Sequence, residues 1–533
     1  MSRGAQDEPI QPPPFYSRIV QAFAGTFPEQ HLSKHPLDAA ISSLAWTNYL
    51  NSLDYDHEYF LASDVKNFRS HEKEIAGKLK DGDLSFAYEA FDTLRQRVRE
   101  RYGMYKDGKQ FLDAVNTADS ELVLQRYLSA FAHAYDPYSE YLSRMMVEEF
   151  GIQKQHALDG IGADIAMRNG FIEIENILPG GPAGCDARDI RLRPGDRIIA
   201  VAEEGGQPEN VLHKPAYQVT RLVRGKKGTK VVLTVLGPEA GAKPRQVDLV
   251  RDRINLERSI VTFEIRQTGD ANPAGKIGVV RIPLFYTGNH NAHSSGTEQG
   301  SSAVDVAYAL DCMRTQNMDG LLMDLRDNRG GDVPEAEEGA GLFITPGPLG
   351  QLATRRGIET IEDPVRKISY TGPLVVLVDR FTASAAEIVA AILQDYGRAV
   401  IVGEARTYGK GIGQNIYRLG RDASFGSIEV SYIAYYRLSG ESTESKGILP
   451  DILISSKQGL NSATRDWCSI MTNLPPVAKL NFAPMADMSS VIPQLRRKLE
   501  ERGAVKQGSG TNENDRVLTQ GIAVLSDLIA IKK

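Results

Sequence analysis

The fold of the central part of this chain is decided by residues 374–396, LVVLVDRFTASAAEIVAAILQDY. The first five residues of this stretch are all apolar, which is typical of a β-strand that is buried on both faces. Residues 385–396 predict a helix, and the residues between the two segments form a short loop. A buried strand that leads directly into a helix is the repeating unit of a parallel α/β sheet.

The same alternation continues on both sides of this stretch. In chain order, the sequence predicts a strand at 277–282, a helix at 303–313, a strand at 321–325, a helix at 334–343 and a strand at 400–402. Parallel strands need crossover connections, and helices in those crossovers cover both faces of the sheet. We therefore predict an α/β core over residues 256–455.

Length and composition limit the remaining possibilities. With 533 residues the chain is long enough for three or four domains. Its 41% apolar and 24% charged residues are typical of soluble globular proteins. The net charge of −6 argues against a nucleic-acid partner, because such proteins carry a strong positive field. Three widely spaced cysteines offer neither a disulfide framework nor a Cys-X-X-Cys zinc site.

The composition changes along the chain and predicts four regions, a multidomain α+β and α/β architecture. They are a helical N-terminal domain at 12–150, a small β domain at 151–255, the α/β core at 256–455 and a helical C-terminal region at 456–533. Pro137 predicts a corner near the end of the first region, with a new helix beginning near Ser139. Residues 216–223 predict one short helix within the β domain.

Three loops that follow predicted core strands carry chemically useful residues. Gly330 and Gly331 follow one strand, Ser384 follows the next, and Lys410 follows the strand at 400–402. In a parallel sheet, the loops at the carboxyl ends of the strands meet at one edge. Paired glycines can present backbone N–H groups to an oxyanion, serine can act as a nucleophile, and lysine can act as a base.

A serine nucleophile needs a group that accepts its proton. Asp395 is eleven residues after Ser384, which is about 16 Å along one helix, so it lies at the wrong end. None of the nine histidines is near these strand ends, which leaves Lys410 as the base. Such a lysine must be uncharged, and therefore enclosed in a dry pocket. Gln414 is placed to orient the amine, and Glu387 to organise the rim of the site.

Each of these residues also has an ordinary structural explanation. Ser384 alone is explained as a helix N-cap, Lys410 as a solvated loop residue and the glycine pair as a tight turn. Their placement after three different strands of one sheet favours the combination of nucleophile, base and oxyanion donors.

Longer motifs in this sequence resemble those of the carboxyl-terminal processing, or tail-specific, peptidases. The motifs are DPYSEYLS at 136–143, DLRDNRGG at 324–331, VDRFTASAAEI at 378–388, QDYGRA at 394–399, GE at 403–404, TYGKG at 407–411 and GILPD at 447–451. The resemblance implies a crotonase-like α/β protease core and a serine endopeptidase with a serine–lysine dyad. It implies these roles: Ser384 as nucleophile, Lys410 as general base, Gln414 as support for the lysine, Gly330 or Gly331 as oxyanion donor, and Glu387 and Thr407 as supporting residues.

The sequence departs from the family pattern at a few positions. Thr382 and Ala386 flank the nucleophile where the family has a serine-rich stretch, and residues 405–406 replace a single residue before the lysine. Arg329 adds a positive charge beside the glycine pair, and the resemblance gives this charge no role.

The middle region resembles a PDZ domain. GIGADI at 160–165 is similar to its carboxylate-binding loop, and GPA at 181–183 and LRPGDRI at 192–198 match its later signature. The resemblance implies that a peptide terminus binds at Gly160, Ile161, Gly162, Ala163 and Ile165. Because Ile161 and Ile165 are expected to line the pocket, substrate tails should end in apolar residues.

We therefore expect an endopeptidase that captures apolar C-terminal tails and cleaves with Ser384 and Lys410. A catalytically silent PDZ adaptor and an acyl-thioester enzyme with a crotonase-like core are the alternatives. We expect no cofactor and no metal, since the His290 and His293 pair has no further ligands nearby. An adaptor protein or a second copy of the chain stays open as a partner besides the protein or peptide substrate, and nucleic acid is not expected.

The compartment is inferred from the resemblance. Residues 1–15 lack the basic and apolar segments of a secretory signal, but an exported protein in mature form looks the same. The family resemblance implies a periplasmic or otherwise exported protein, with a cytoplasmic location as the alternative.

Overall fold

The structure is a computed structural model, and the chain forms two compact units. The structure describes residues 9–105, 108–144, 146–147, 157–168, 171–177, 181–211, 216–239, 242–255, 260–267, 275–287, 300–365, 367–403, 406–421, 423–454, 469–471, 474–502 and 513–532. The first unit contains Met1–Leu256, Ile416–Val430 and Asp466–Ile470, and the second contains Glu257–Asn415, Ser431–Arg465 and Met471–Lys533.

The first unit opens with a layer of helices. They are α1 Tyr16–Gln30, α2 Ala39–Leu53, α3 Ala62–Phe68, α4 Ile75–Asp81, α5 Ser85–Arg101, α6 Gly108–Thr117 and α7 Ser120–Tyr135. Aromatic side chains fill the space between them. Tyr49 of α2, for example, meets the rings of Phe86 and Tyr127 edge to face, at centroid distances of 6.1 and 5.1 Å. The apolar faces of these helices thus form an interior packed with large side chains.

The corner after α7 differs from the sequence prediction. The prediction of a helix near Ser139 was wrong, because Glu140–Leu142 forms strand β1. The carboxylate of Asp136 accepts hydrogen bonds from the N–H groups of Tyr138 at 2.7 Å and Ser139 at 2.9 Å. This turn directs the chain into an extended conformation, and β1 then pairs antiparallel with residues 427–429.

The rest of the first unit is mainly β. Its strands are β2 Ala157–Gly160, β3 Ala163–Arg168, β4 Phe171–Ile177, β5 Arg197–Glu203, β6 Glu209–Asn210, β7 Lys230–Leu236, β8 Arg245–Val250 and β9 Asp252–Asn255, and helix α8 spans Ala216–Val223. The larger sheet has the order β3-β4-β5-β7-β8, which places β3 at its edge, while β2 pairs with β9. The predicted helix at 216–223 is confirmed.

The second unit contains the α/β core. Its strands are β10 Thr262–Gln267, β11 Lys276–Arg281, β12 Gly320–Asp324, β13 Pro348–Thr354, β14 Gly357–Glu362, β15 Leu374–Val378, β16 Val400–Gly403 and β19 Ile452–Leu453. Strands β17 Ile412–Arg418 and β18 Ser427–Tyr436 each pass from one unit into the other. The helices are α9 Ser302–Thr315, α10 Val333–Gly341, α11 Ala385–Asp395, α12 Val491–Glu501 and α13 Glu513–Lys532.

The central sheet has the order β10-β11-β12-β15-β16-β19. Strand β10 is antiparallel to β11, and the other pairs are parallel, as the sequence predicts for β11, β12, β15 and β16. The ends of neighbouring strands are aligned, since Asp324 lies beside Leu377, and Val378 beside Gly403. The loops after β12, β15 and β16 therefore emerge at the same edge of the sheet.

Helices cover both faces of this sheet. Alternate residues of each strand face opposite ways: Met323 and Val376 join a cluster with α9, α10 and α11, whereas Leu322 and Leu377 join one with α12 and α13. The C-terminal helices predicted from the sequence are thus a layer of the second unit. None of the helices in the described ranges combines the length and apolar character that crossing a bilayer requires.

Candidate active site

Ser384 occupies the junction between β15 and α11 and has a strained backbone. Its φ is +56° and its ψ is −121°, a combination that side chains with a Cβ rarely adopt. The preceding loop is anchored by Thr382, whose hydroxyl donates to the carbonyl of Leu325 at 2.9 Å. The N–H of Thr382 also donates to the Asp379 carboxylate at 2.8 Å. These contacts fix the loop so that it holds Ser384 in this conformation.

The glycine pair lies directly against the serine. Gly330 and Gly331 have φ values of +106° and +127°. A Cβ on Gly330 would approach the Cβ of Ser384 to 2.8 Å, and one on Gly331 would overlap the carbonyl oxygen of Phe285. Only glycine fits at these two positions, because both the backbone conformation and the space exclude a side chain.

Asn328 ties the glycine loop to the serine loop. Its side-chain nitrogen donates to the carbonyl of Ile282 at 2.8 Å, and its side-chain oxygen accepts from the N–H of Gly330 at 2.8 Å. Its backbone carbonyl accepts from the N–H of Ala383 at 2.9 Å. Asn328 belongs to the DLRDNRGG motif, but the sequence alone assigns it no function. Its position between a strand end and a glycine pair was the available signal.

Glu387 connects the serine loop to the lysine loop. Its side chain is fully buried, and its two oxygens accept four hydrogen bonds. One oxygen accepts from the N–H groups of Ser384 at 2.9 Å and Lys410 at 2.8 Å, and the other accepts from the N–H of Gly409 at 2.7 Å and the hydroxyl of Thr407 at 2.5 Å. The structure therefore brings Ser384 and Lys410 together, since both backbone nitrogens lie within 2.9 Å of one oxygen atom.

Thr407 fixes the lysine loop from the other side. It is buried, and its hydroxyl, besides donating to Glu387, accepts from the N–H of Ile448 at 2.7 Å. The N–H of Thr407 donates to the carbonyl of Ile448 at 3.1 Å, and the N–H of Tyr408 donates to the carbonyl of Thr382 at 3.0 Å. The predicted supporting residues thus contact both loops that carry the predicted dyad.

Gln414 lies on β17, four residues after Lys410. Its side-chain nitrogen donates to the carbonyl of Ile412 at 3.0 Å and to the hydroxyl of Ser431 at 3.1 Å. These two bonds fix the orientation of the Gln414 amide, so that its oxygen points away from Ile412 and Ser431.

The electrostatics of the site are dominated by burial. Burial raises the pKa of Glu387 to about 7, although its hydrogen bonds with Thr407, Lys410, Gly409 and Ser384 act in the opposite direction. Burial likewise raises the pKa of Asp379. A carboxyl group that titrates near neutral pH therefore lies between the predicted nucleophile and the predicted base.

The predicted peptide-binding residues surround the start of β3. Gly162 has a φ of +75°, and Gly160 ends β2. Ile161 is only 2% exposed and packs into the core of the β domain, whereas Ile165 is half-buried. Since β3 with Ala163 and Ile165 is the edge strand and α8 packs against it, an extended segment has backbone groups available there.

Among the described residues, no three His, Cys, Asp or Glu side chains come together in a way that would hold a metal ion. His290 and His293 lie outside the described residues.

Comparison with protein families gives two matches. The model described as peptidase family S41 matches residues 276–454, and the model described as the tail specific protease N-terminal domain matches residues 24–110. The first of these ranges contains the three loops described above.

Individual proteins are similar over much of the chain. The tail-specific protease of Haemophilus influenzae is 30% identical over 494 residues, which cover 80% of this chain and 68% of that protein. The probable CtpA-like serine protease of Staphylococcus epidermidis is 29% identical over 332 residues, which cover 61% of this chain and 60% of that protein. The solved structure of the photosystem II D1 C-terminal processing protease is 23% identical with a TM-score of 0.40, and the match covers 78% of this chain and 93% of that one.

Proposed function

This chain belongs to peptidase family S41, the carboxyl-terminal processing serine peptidases, and from that premise we propose that it cleaves polypeptides with a Ser384–Lys410 dyad after binding their C-terminal tails. The observation that carries this proposal is the buried Glu387 carboxylate, which accepts hydrogen bonds from the backbone of both residues. A shared, enclosed acceptor of this kind holds a nucleophile and a base at a fixed separation.

The reaction proceeds in two steps. The uncharged amine of Lys410 takes the proton of the Ser384 hydroxyl while the serine oxygen attacks the carbonyl carbon of the scissile bond. The protonated lysine then gives this proton to the departing amine, and an acyl-enzyme remains. A water molecule, deprotonated by the same lysine, hydrolyses the ester and regenerates both side chains. The side-chain oxygen of Gln414 orients the amine, because the nitrogen of that amide is held by Ile412 and Ser431.

The geometry favours one oxyanion donor over the other. The N–H of Gly330 already donates to Asn328, so it is engaged within the loop. Gly331 is the better candidate. Phe285 pairs with the residues on either side of it, since the N–H of Phe285 donates to the carbonyl of Gly330 and the N–H of Asp332 donates to the carbonyl of Phe285. In this parallel bridge the N–H of Gly331 itself points away from Phe285. We assign Gly331 as the donor to the oxyanion and Gly330 as the residue that allows close packing against Ser384.

Tail recognition is assigned to the β domain at residues 151–255. Its edge strand β3 can accept an extended peptide as an additional strand, with the loop at Gly160–Ala163 binding the terminal carboxylate. The partly exposed Ile165 favours an apolar last residue. The proposed partners are therefore protein or peptide substrates with apolar C-termini. From the family to which the chain belongs, we also propose that the protein works in an exported compartment.

The test compares the full chain with its Ser384→Ala and Lys410→Ala variants. An unfolded protein substrate that ends in apolar residues is incubated with each, alongside the same substrate ending in two aspartates. We expect the wild type to cleave the apolar-tailed substrate faster, and both variants to be inactive. Equal cleavage by the wild type and Ser384→Ala would exclude the dyad, and tail binding without cleavage in every form would favour the silent adaptor.

A further inference from the structure

An aromatic ring with two arginines lies at the rim of the candidate active site. Phe381, three residues before Ser384, is 37% exposed. The guanidinium carbon of Arg329 lies 5.6 Å from the centre of this ring, and that of Arg380 lies 4.7 Å from it. Arg329 directly precedes Gly330, which packs against the serine, so the cluster adjoins the reacting group.

Among the residues that the structure describes, no carboxylate neutralises the charge of Arg329. Within the described ranges its exposed guanidinium has no acidic side chain at salt-bridge distance. The nearby charges are engaged elsewhere: Asp327 faces Arg281 at 3.8 Å, Asp324 pairs with the buried Arg326 at 2.6 Å, and the Asp379 carboxylate accepts from the N–H groups of Asp327, Phe381 and Thr382. An exposed positive charge therefore remains beside the active-site loop.

A guanidinium held over an aromatic ring is well prepared to bind a carboxylate. The ring attracts the cation through its face, while the N–H donors of the guanidinium lie in its own plane and stay available. Two such donors can bind the two oxygens of a carboxylate in parallel. Phe381 also limits the movement of the arginine, which lowers the entropy lost when an acidic side chain binds.

We propose that Arg329, held by Phe381, forms a subsite that selects substrates with a glutamate or aspartate close to the scissile bond. This inference rests on the proposed function, because it assigns the chemistry of a substrate residue at the same site. It also gives Arg329 a function that the motifs of the sequence leave open.

The experiment uses peptide substrates that share one apolar C-terminal tail and differ at a single position. That position is moved along both sides of the scissile bond and carries Glu, Gln or Lys in turn, and kcat/KM is measured for the full chain. At one position we expect the wild type to prefer Glu over Gln by about three- to fivefold, the range of a partly exposed ion pair. The Glu to Gln ratio should fall to about one in Arg329→Gln, and Arg329→Glu should prefer Lys.

The control is Arg356→Gln, which removes an exposed arginine from the turn between β13 and β14 and should keep the wild-type ratio. A wild type that treats Glu and Gln alike at every position, or an Arg329→Gln variant that keeps the preference, would overturn the subsite. Binding of the Glu and Gln peptides is also measured with Ser384→Ala alone and combined with Arg329→Gln. If the wild type cleaves none of the peptides, the proposed function fails, and these binding ratios still decide the subsite.

Discussion

At the scale of single residues, Glu387 makes the most consequential contacts in the site. Three backbone N–H groups and one hydroxyl donate to its two oxygens, an arrangement that the ionised carboxylate satisfies best because it has acceptors only. Burial opposes that ionisation and raises the pKa to about 7. Because this pKa is near neutral, a small change in pH changes the charge of Glu387 and with it the hydrogen bonds that link the serine and lysine loops.

This balance predicts opposite pH trends for activity and stability. Activity should rise as pH increases through about 7, because the ionised carboxylate organises both loops. The free energy of unfolding should show the opposite trend. Because the pKa of Glu387 is higher in the folded protein than in the unfolded chain, the folded state binds the proton more tightly. The resulting stabilisation is present in full below pH 4.5 and is lost by about pH 7. Glu387→Gln should remove the step near pH 7 from both profiles and lower kcat, because an amide cannot accept all four bonds.

The measurement is a pair of pH profiles, kcat against pH and the denaturation midpoint against pH, for the wild type and Glu387→Gln. Glu441→Gln is the matched control, since that glutamate is exposed and pairs with the surface Lys446 at 3.4 Å. An activity step near pH 7 that survives in Glu387→Gln would show that another group controls it.

Gly330 gives a second test at the residue scale. Gly330→Ala should abolish most activity, because the new Cβ meets the Cβ of Ser384 and because the φ of +106° disfavours alanine. Gly357→Ala is the matched control: its φ of +140° imposes similar backbone strain, but open space surrounds the new methyl group. Initial rates and thermal midpoints of both variants separate the two effects. If both variants lose the same activity, contact with Ser384 is not what requires glycine at position 330.

At the scale of elements, the sequence predicted the parts of the sheet that are buried on both faces. A short, continuous apolar run such as 374–378 is typical of a central strand, and the structure has a strand there. The helix predicted after it is also confirmed. Strand β1 was predicted wrongly because its partner lies almost three hundred residues away and the local Asp136 turn is not visible in periodicity. Strand β13 pairs with β18 far along the chain, whereas β13 and β14 form a hairpin joined by a short turn, and the local pattern identified none of these three strands.

The candidate site follows the same division. Ser384, Lys410 and the glycines could be located because each follows a strand whose position the sequence determines. The contacts of Asn328 and the fourfold acceptor role of Glu387 could not be predicted, since they depend on how three separate loops approach one another at the ångström level.

The C-terminal helix α13 provides a prediction at the scale of elements. Gly521 lets this helix lie close to the sheet, because a Cβ there would come within 2.6 Å of a Leu377 methyl group. Alanine normally stabilises a helix interior by about 1 kcal/mol relative to glycine, and overpacking typically costs about 1 to 3 kcal/mol. Gly521→Ala should therefore lower the thermal midpoint. Gly25→Ala in α1, where the new methyl group meets nothing within 4 Å, should raise it. Calorimetry of both variants tests this, and a stabilised Gly521→Ala would contradict the close packing.

At the scale of the whole molecule, the proposed tail-binding residues and the proposed dyad belong to different compact units of the chain. Binding and cleavage should therefore be separable by a competitor that occupies only the tail site. A free peptide with an apolar terminus should slow cleavage of a long tailed substrate while leaving hydrolysis of a short peptide that lacks such a tail unchanged.

A second competitor, which differs from the first only at its C-terminal group, tests what the tail site recognises. The same peptide with an amidated C-terminus lacks the carboxylate that the loop at Gly160–Ala163 is proposed to bind, so it should compete poorly. Gly162→Val should weaken competition as well, because a β-branched residue does not tolerate the φ of +75°. Initial rates at increasing competitor concentration give an inhibition constant for each combination. Equal inhibition by the acid and the amide would show that the terminal carboxylate is not what the first unit binds.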